Sequence, residues 1–80
     1  MNLLFPSMIK PGMTGTHEGK KFTVISHVED GEEYCGEALH NDTRNKVWVD
    51  YEGRGKTVFA FPLIMSPEEW TKFFDQLPTP

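Results

Sequence analysis

Turn-forming residues recur through this chain at intervals too short for a succession of ordinary helices. They stand at Lys10–Gly12, Thr14–Gly15, Glu18–Gly19, Glu29–Gly31, Asn41–Asn45 and Glu52–Gly55. All but Asn41–Asn45 supply a proline-fixed φ or a glycine free to take φ > 0, and Asn41–Asn45 supplies Asn and Asp side chains that favour turns. Over the middle of the chain they fall roughly 8–12 residues apart, the interval that several short antiparallel strands produce.

Three strand regions lie between these marks. Lys20–Val28 is rich in β-branched residues, with Phe22, Val24 and Val28 on one parity and Thr23, Ile25 and His27 on the other. Glu32–His40 alternates weakly, and Gly36 in its middle predicts a bulge or a sharp bend. The clearest signal is a hairpin, Lys46–Tyr51 and Lys56–Phe61, turning at Glu52–Gly55. Its aromatics occupy both parities, which a half-buried strand pair does not need. Val47, Val49 and Tyr51, with Phe59, Phe61 and Leu63, form the natural core faces, and Trp48 is left among charged neighbours. Trp48 is expected either beneath a helix or exposed. A further short strand is expected near Met13–His17.

One helix is written plainly, over 66–77. Ser66 is a fitting N-cap, Pro67 at the first helical position loses no useful N–H, and Glu69 completes a capping box. Trp70, Phe73, Phe74 and Leu77 then form one apolar stripe, and Pro78 ends it. The stripe is expected to dock on its own domain.

A run of short strands followed by one amphipathic helix predicts a mainly β domain spanning residues 1–80. The expected form is a small antiparallel barrel of about five strands over 13–64, which would also remove exposed edges. An α+β arrangement, a sheet covered by a helix, is the alternative. The segments Ile9–Gly31 and Lys46–Ile64, with their proline–glycine turn, glycine-containing loop and late hairpin, resemble SH3-like barrels of the Tudor and KOW types. The chain departs from that pattern in its longer acidic middle hairpin and its aromatic C-terminal helix. The resemblance implies a binding module without catalytic residues.

Chemistry-bearing constellations are sparse. The single cysteine, Cys35, permits no intrachain disulfide and fits a reducing, cytoplasmic setting. The apolar opening is interrupted by Pro6 and lacks a basic leader, so neither a signal peptide nor a membrane span is expected. His17, His27, His40 and Cys35 lack the spacing of a zinc site, and acids around Cys35 oppose its activation as a nucleophile. Glu52–Lys56 lacks the length and following helix of a phosphate loop. No cofactor and no metal are expected, and the chain does not read as an enzyme.

Binding readings are stronger. The leading one is a protein-interaction module, an adaptor or inhibitor that engages a larger cytoplasmic protein or complex, of a size and style suited to a phage or mobile element. Its contact residues are expected to be Trp48, Tyr51, Arg54 and Lys56, because Trp, Tyr and Arg dominate interface energetics. The alternative is a nucleic-acid-binding regulator of KOW type, with Arg44 and Lys46 joining Arg54 and Lys56 around Trp48. A net charge of −4 disfavours it. A third reading makes the acidic patch Glu29, Asp30, Glu32, Glu33 and Glu37 a nucleic-acid mimic that blocks a basic groove. A homodimer through an edge strand or the aromatic helix is another way to cover the surplus apolar surface.

Overall fold

The computed structural model describes residues 2–40 and 42–78. A 3₁₀ turn at Pro6–Met8 precedes strands β1 (Thr14–His17) and β2 (Lys20–His27). A hairpin of two-residue strands, β3 (Glu33–Tyr34) and β4 (Glu37–Ala38), is inserted next. Strands β5 (Lys46–Tyr51) and β6 (Gly55–Ala60) and the helix α1 (Pro67–Phe73) complete the chain. Four strands form one antiparallel sheet in the order β1-β2-β5-β6, and β3-β4 stand as a separate ladder. The fold is mainly β with one short C-terminal helix, as the sequence predicts. Among the described residues no helix is long and apolar enough to cross a membrane.

The register explains which aromatics enter the core. Phe22 faces Tyr51 and Val24 faces Val49 across β2 and β5, while Val47 and Val49 face Phe59 and Thr57 across β5 and β6. These pairs share the face that builds the core, with Phe61, Met65, Trp70 and Phe74 joining from beyond the sheet. Between Val24 and Ser26 the ladder slips by one residue at Ile25. This bulge reverses the parity of the strand end. His27 therefore lies opposite Val47 on the core side, and Ser26 lies opposite Trp48 on the outer face. Strict alternation would have placed His27 outward.

The sheet curls enough for side chains of its two outermost strands to meet. In a flat sheet β1 and β6 would lie about 14 Å apart, yet the rings of His17 and Phe59 stand 5.2 Å apart between centroids. Among the described residues β6 does not pair with β1, and the seam is not closed by a ladder. The free edge of β1 is instead taken by the end of the helix, where Gly15 bridges Phe74. The Asp75 N–H donates to the Thr14 carbonyl at 2.9 Å, and the Thr14 hydroxyl donates to the Asp75 carboxylate at 2.6 Å.

Only glycine fits at the point of docking. A Cβ on Gly15 would fall 1.9 Å from the Phe73 carbonyl oxygen and 2.5 Å from the Phe22 ring. The backbones approach this closely so that Trp70 and Phe74 can stack at 4.7 Å and Phe74 can meet Phe61 at 5.1 Å. Such ring pairs contribute about 0.5–1.5 kcal/mol each beyond the area they bury.

The helix is shorter than expected. The Ser66–Glu69 capping box forms in both directions, with each hydrogen bond at 3.2 Å. The helix ends at Phe73, because Phe74 turns to extended φ/ψ and pairs with Gly15. Leu77 consequently leaves the apolar stripe and is exposed. The sharp bend expected at Gly36 is a complete reversal of the chain. Cys35 and Gly36 both take positive φ, 55° and 83°, and form the two-residue turn between β3 and β4.

Candidate functional site

The side chains singled out from sequence lie in three different settings. Trp48 is only 3% exposed and therefore not solvent-facing, and its cover comes from Glu32 and Tyr34 of the acidic segment. It sits on the outer face of β5, apart from the main core, and the acidic hairpin closes over it. Its indole Nε1–H donates to Glu32 Oε1 at 3.0 Å, and the Tyr34 ring meets it edge-on at 5.8 Å. From the neighbouring strand the Lys56 ammonium lies 4.4 Å from the ring centroid. A cation so placed contributes about 0.5–1 kcal/mol at an exposed site. Trp48 thus has a structural task, and its expected role as a free contact residue is corrected.

Tyr51 is corrected in the same way. It is 7% exposed, belongs to the core and donates its hydroxyl hydrogen to the His17 carbonyl at 2.9 Å. Arg54 and Lys56 are exposed at and beside the β5–β6 turn, although Lys56 is engaged with the Trp48 ring. The expected cluster therefore resolves into two buried aromatics and two surface cations.

The acidic residues divide similarly. Glu29, Asp30, Glu33 and Glu37 are exposed, and Glu32 is half-buried. Glu32 accepts from the Glu29 backbone N–H at 2.7 Å as well as from Trp48. The Glu29 N–H, then the Trp48 indole and the charge of Lys56 together lower its carboxyl below the ordinary value. Asp30 stands 3.8 Å from His40, and Cys35 is exposed at the hairpin turn. Among the described residues no group of three or more His, Cys, Asp or Glu gathers in a way that could hold a metal ion.

An open apolar feature lies elsewhere. The segment before β1 and the segment after β6 run side by side, tied by reciprocal Leu4–Met65 backbone hydrogen bonds of 2.8 Å. Leu4, Pro6 and Met65 turn inward and are buried. Their neighbours Phe5, Leu63 and Ile64 turn outward and remain 40%, 45% and 54% exposed. These three line an open groove of about 730 Å³ together with Pro6, His27 and Arg44. This volume lies within the ~300–1,000 Å³ range of ligand-binding clefts.

Polar groups of fixed orientation border the groove. His27 lies there because the Ile25 bulge sends it to the core side. Its Nε2 lies 2.7 Å from the Ile9 carbonyl, which can only accept, so Nε2 carries the hydrogen. Arg44 is held by Asp42 in a two-point pair, Nε to Oδ1 at 2.8 Å and Nη2 to Oδ2 at 2.7 Å. That pairing, with the Arg44 backbone N–H, lowers the Asp42 carboxyl to about 2. Lys46 donates to the Asp42 carbonyl at 2.7 Å, and Lys10 donates to the carbonyl of Ser7 on the groove wall at 3.4 Å.

Strand periodicity marks neither Phe5 nor Ile64, and it placed Leu63 on the core face with Phe59 and Phe61, which is corrected because β6 ends at Ala60 and Leu63 turns outward. The signal available was the pair of short apolar runs, Leu3–Phe5 and Phe61–Met65, flanking the predicted strands without a polar alternation. Compared with known proteins, the chain matches no family model, no curated protein and no solved structure.

Proposed function

We propose that this chain is a non-enzymatic protein-interaction module, an adaptor or inhibitor of a larger cytoplasmic protein or complex, and that it binds through the groove of Phe5, Leu63 and Ile64. One contrast carries this reading. The protein buries both tryptophans, and of the six exposed large apolar side chains among the described residues three, from two paired segments, converge on one open groove. Scattered exposed apolar residues need no explanation, whereas a contiguous set is the usual mark of an interaction surface. The resemblance to SH3-like barrels supports a binding role in the same sense.

The competing readings have less support. Base stacking needs an accessible aromatic amid cations, and Trp48 is covered while Lys56 is committed to its ring. Phosphate mimicry needs a free acidic array, and Glu32 is turned inward onto the indole.

The test is affinity capture from a native lysate with three baits of equal thermal stability: wild type, Ile64→Asp and Arg54→Glu. A partner retained by wild type and Arg54→Glu and lost by Ile64→Asp supports the groove. A partner lost by Arg54→Glu and retained by Ile64→Asp places binding at the β5–β6 turn instead.

A further inference from the structure

The groove has a sign as well as a shape. The chain carries a net charge of −4, but the groups bonded around the groove are mostly basic. Arg44 lines it, Lys10 is attached to Ser7 on its wall, and Lys46 is attached to Asp42 beside Arg44. Among these bonded groups Asp42 is the one acid, and both of its carboxylate oxygens are occupied by Arg44. The acids Glu33 and Glu37 stand instead on the separate β3-β4 hairpin.

Asp42 does more than neutralise. A guanidinium has five N–H donors. Asp42 engages the Nε hydrogen and one on Nη2, and among the described residues the remaining Nη hydrogens have no partner. A side chain already ordered in this way loses little conformational freedom when it binds an anion. The lining offers apolar contact through Phe5, Leu63 and Ile64 and cationic donors through Arg44, with Lys10 and Lys46 bonded to residues next to it.

We infer that the groove takes an acidic, apolar peptide segment of the partner protein. Two or three apolar side chains of that segment would rest on Phe5, Leu63 and Ile64, with a flanking carboxylate meeting the outer donors of Arg44 and the ammonium groups of Lys10 and Lys46. The inference rests on the groove being the protein-binding surface and adds the chemistry of what it accepts. A basic or purely apolar segment forgoes these cationic donors, and exposed ion pairs of this kind separate such ligands by roughly two- to fivefold each.

The experiment is a selection from a random twelve-residue peptide library on immobilised full-length protein, with Ile64→Asp as the counter-selected control. Enriched peptides are then measured by fluorescence anisotropy against wild type and Arg44→Glu, in low and moderate salt. The expected result is enrichment of peptides pairing spaced apolar residues with Asp or Glu. Their affinity should fall roughly fivefold or more on Arg44→Glu and should weaken with salt. Apolar peptides without acidic preference, indifferent to Arg44→Glu, would overturn the charge inference and leave the groove reading standing. Enrichment that does not distinguish wild type from Ile64→Asp would overturn both. Concentration-dependent sedimentation as a dimer, abolished by Ile64→Asp, would overturn the inference by making a second copy of the chain the occupant.

Discussion

Glu32 accepts the indole N–H of Trp48 at 3.0 Å, and this bond fastens the acidic hairpin across the outer face of the sheet. The same carboxylate accepts the Glu29 N–H at the base of the hairpin. One acidic side chain therefore connects the start of the insertion to the aromatic it covers.

The fastening is expected to depend on pH. The folded-state carboxyl of Glu32 is lowered from an ordinary value of 4.5, so its contribution is fully present above that value. It is lost as pH falls through the lower folded value, when protonation removes the negative charge that strengthens the bond from the indole. An NMR titration of the two indole N–H resonances checks this directly. The Trp48 signal should move below about pH 4.5. The Trp70 signal should not, because its partner is the Gln76 carbonyl, which does not titrate. Glu32→Gln keeps an acceptor and should flatten the Trp48 response.

Trp48→Ala is expected to destabilise the protein by about 3 kcal/mol, the cost of emptying a buried aromatic site. The loss should be read by chemical denaturation, with increased protease cleavage within residues 29–40 as its local sign. A stability change below about 0.5 kcal/mol, the range of an ordinary surface substitution, would mean that the hairpin is not anchored there.

Gly15→Ala is expected to release the end of the helix, because the new methyl would occupy the space of the Phe73 carbonyl and the Phe22 ring. Overpacking of this kind costs about 1–3 kcal/mol. Thermal unfolding should show the loss, and amide exchange of Phe74 and Asp75, which donate across this junction and the last helical turn, should accelerate. Unchanged exchange at Asp75 would show that the helix docks without this contact.

Cys35 holds φ at 55°, a region in which Asn is more at ease than most side chains, and it precedes Gly36 in the hairpin turn. Cys35→Asn is expected to leave the fold intact and raise stability by about 0.5–1 kcal/mol. Differential scanning calorimetry resolves the sign.

The fold was legible wherever local chemistry decided it. Ser66, Pro67 and Glu69 announce a helix start that needs no tertiary help, and the β5–β6 register follows from alternation around Glu52–Gly55. The misplaced features depend on contacts distant in sequence. Phe74 leaves the helix because Gly15, far earlier in the chain, offers it an edge to pair with. Trp48 is covered by a hairpin whose own text is mostly acidic, so nothing local marks it as a lid. His27 changes face because of one inserted residue at Ile25, which a regular alternation cannot reveal. The groove was hidden for a related reason. Phe5, Leu63 and Ile64 stand in irregular segments, and only the Leu4–Met65 pairing brings them together.

The most direct test of the groove as the binding surface compares the captured partner's affinity for four forms of the protein. Titration calorimetry would use wild type, Leu63→Asp, Ile64→Asp and the double variant Arg54→Glu with Lys56→Glu, each first shown to be folded by its Trp48 and Trp70 indole resonances. Binding should be retained by wild type and the double variant and should fall at least about tenfold, or 1.4 kcal/mol, for each groove substitution. Full affinity in Leu63→Asp and Ile64→Asp, with loss in the double variant, would contradict it and return the site to the β5–β6 turn.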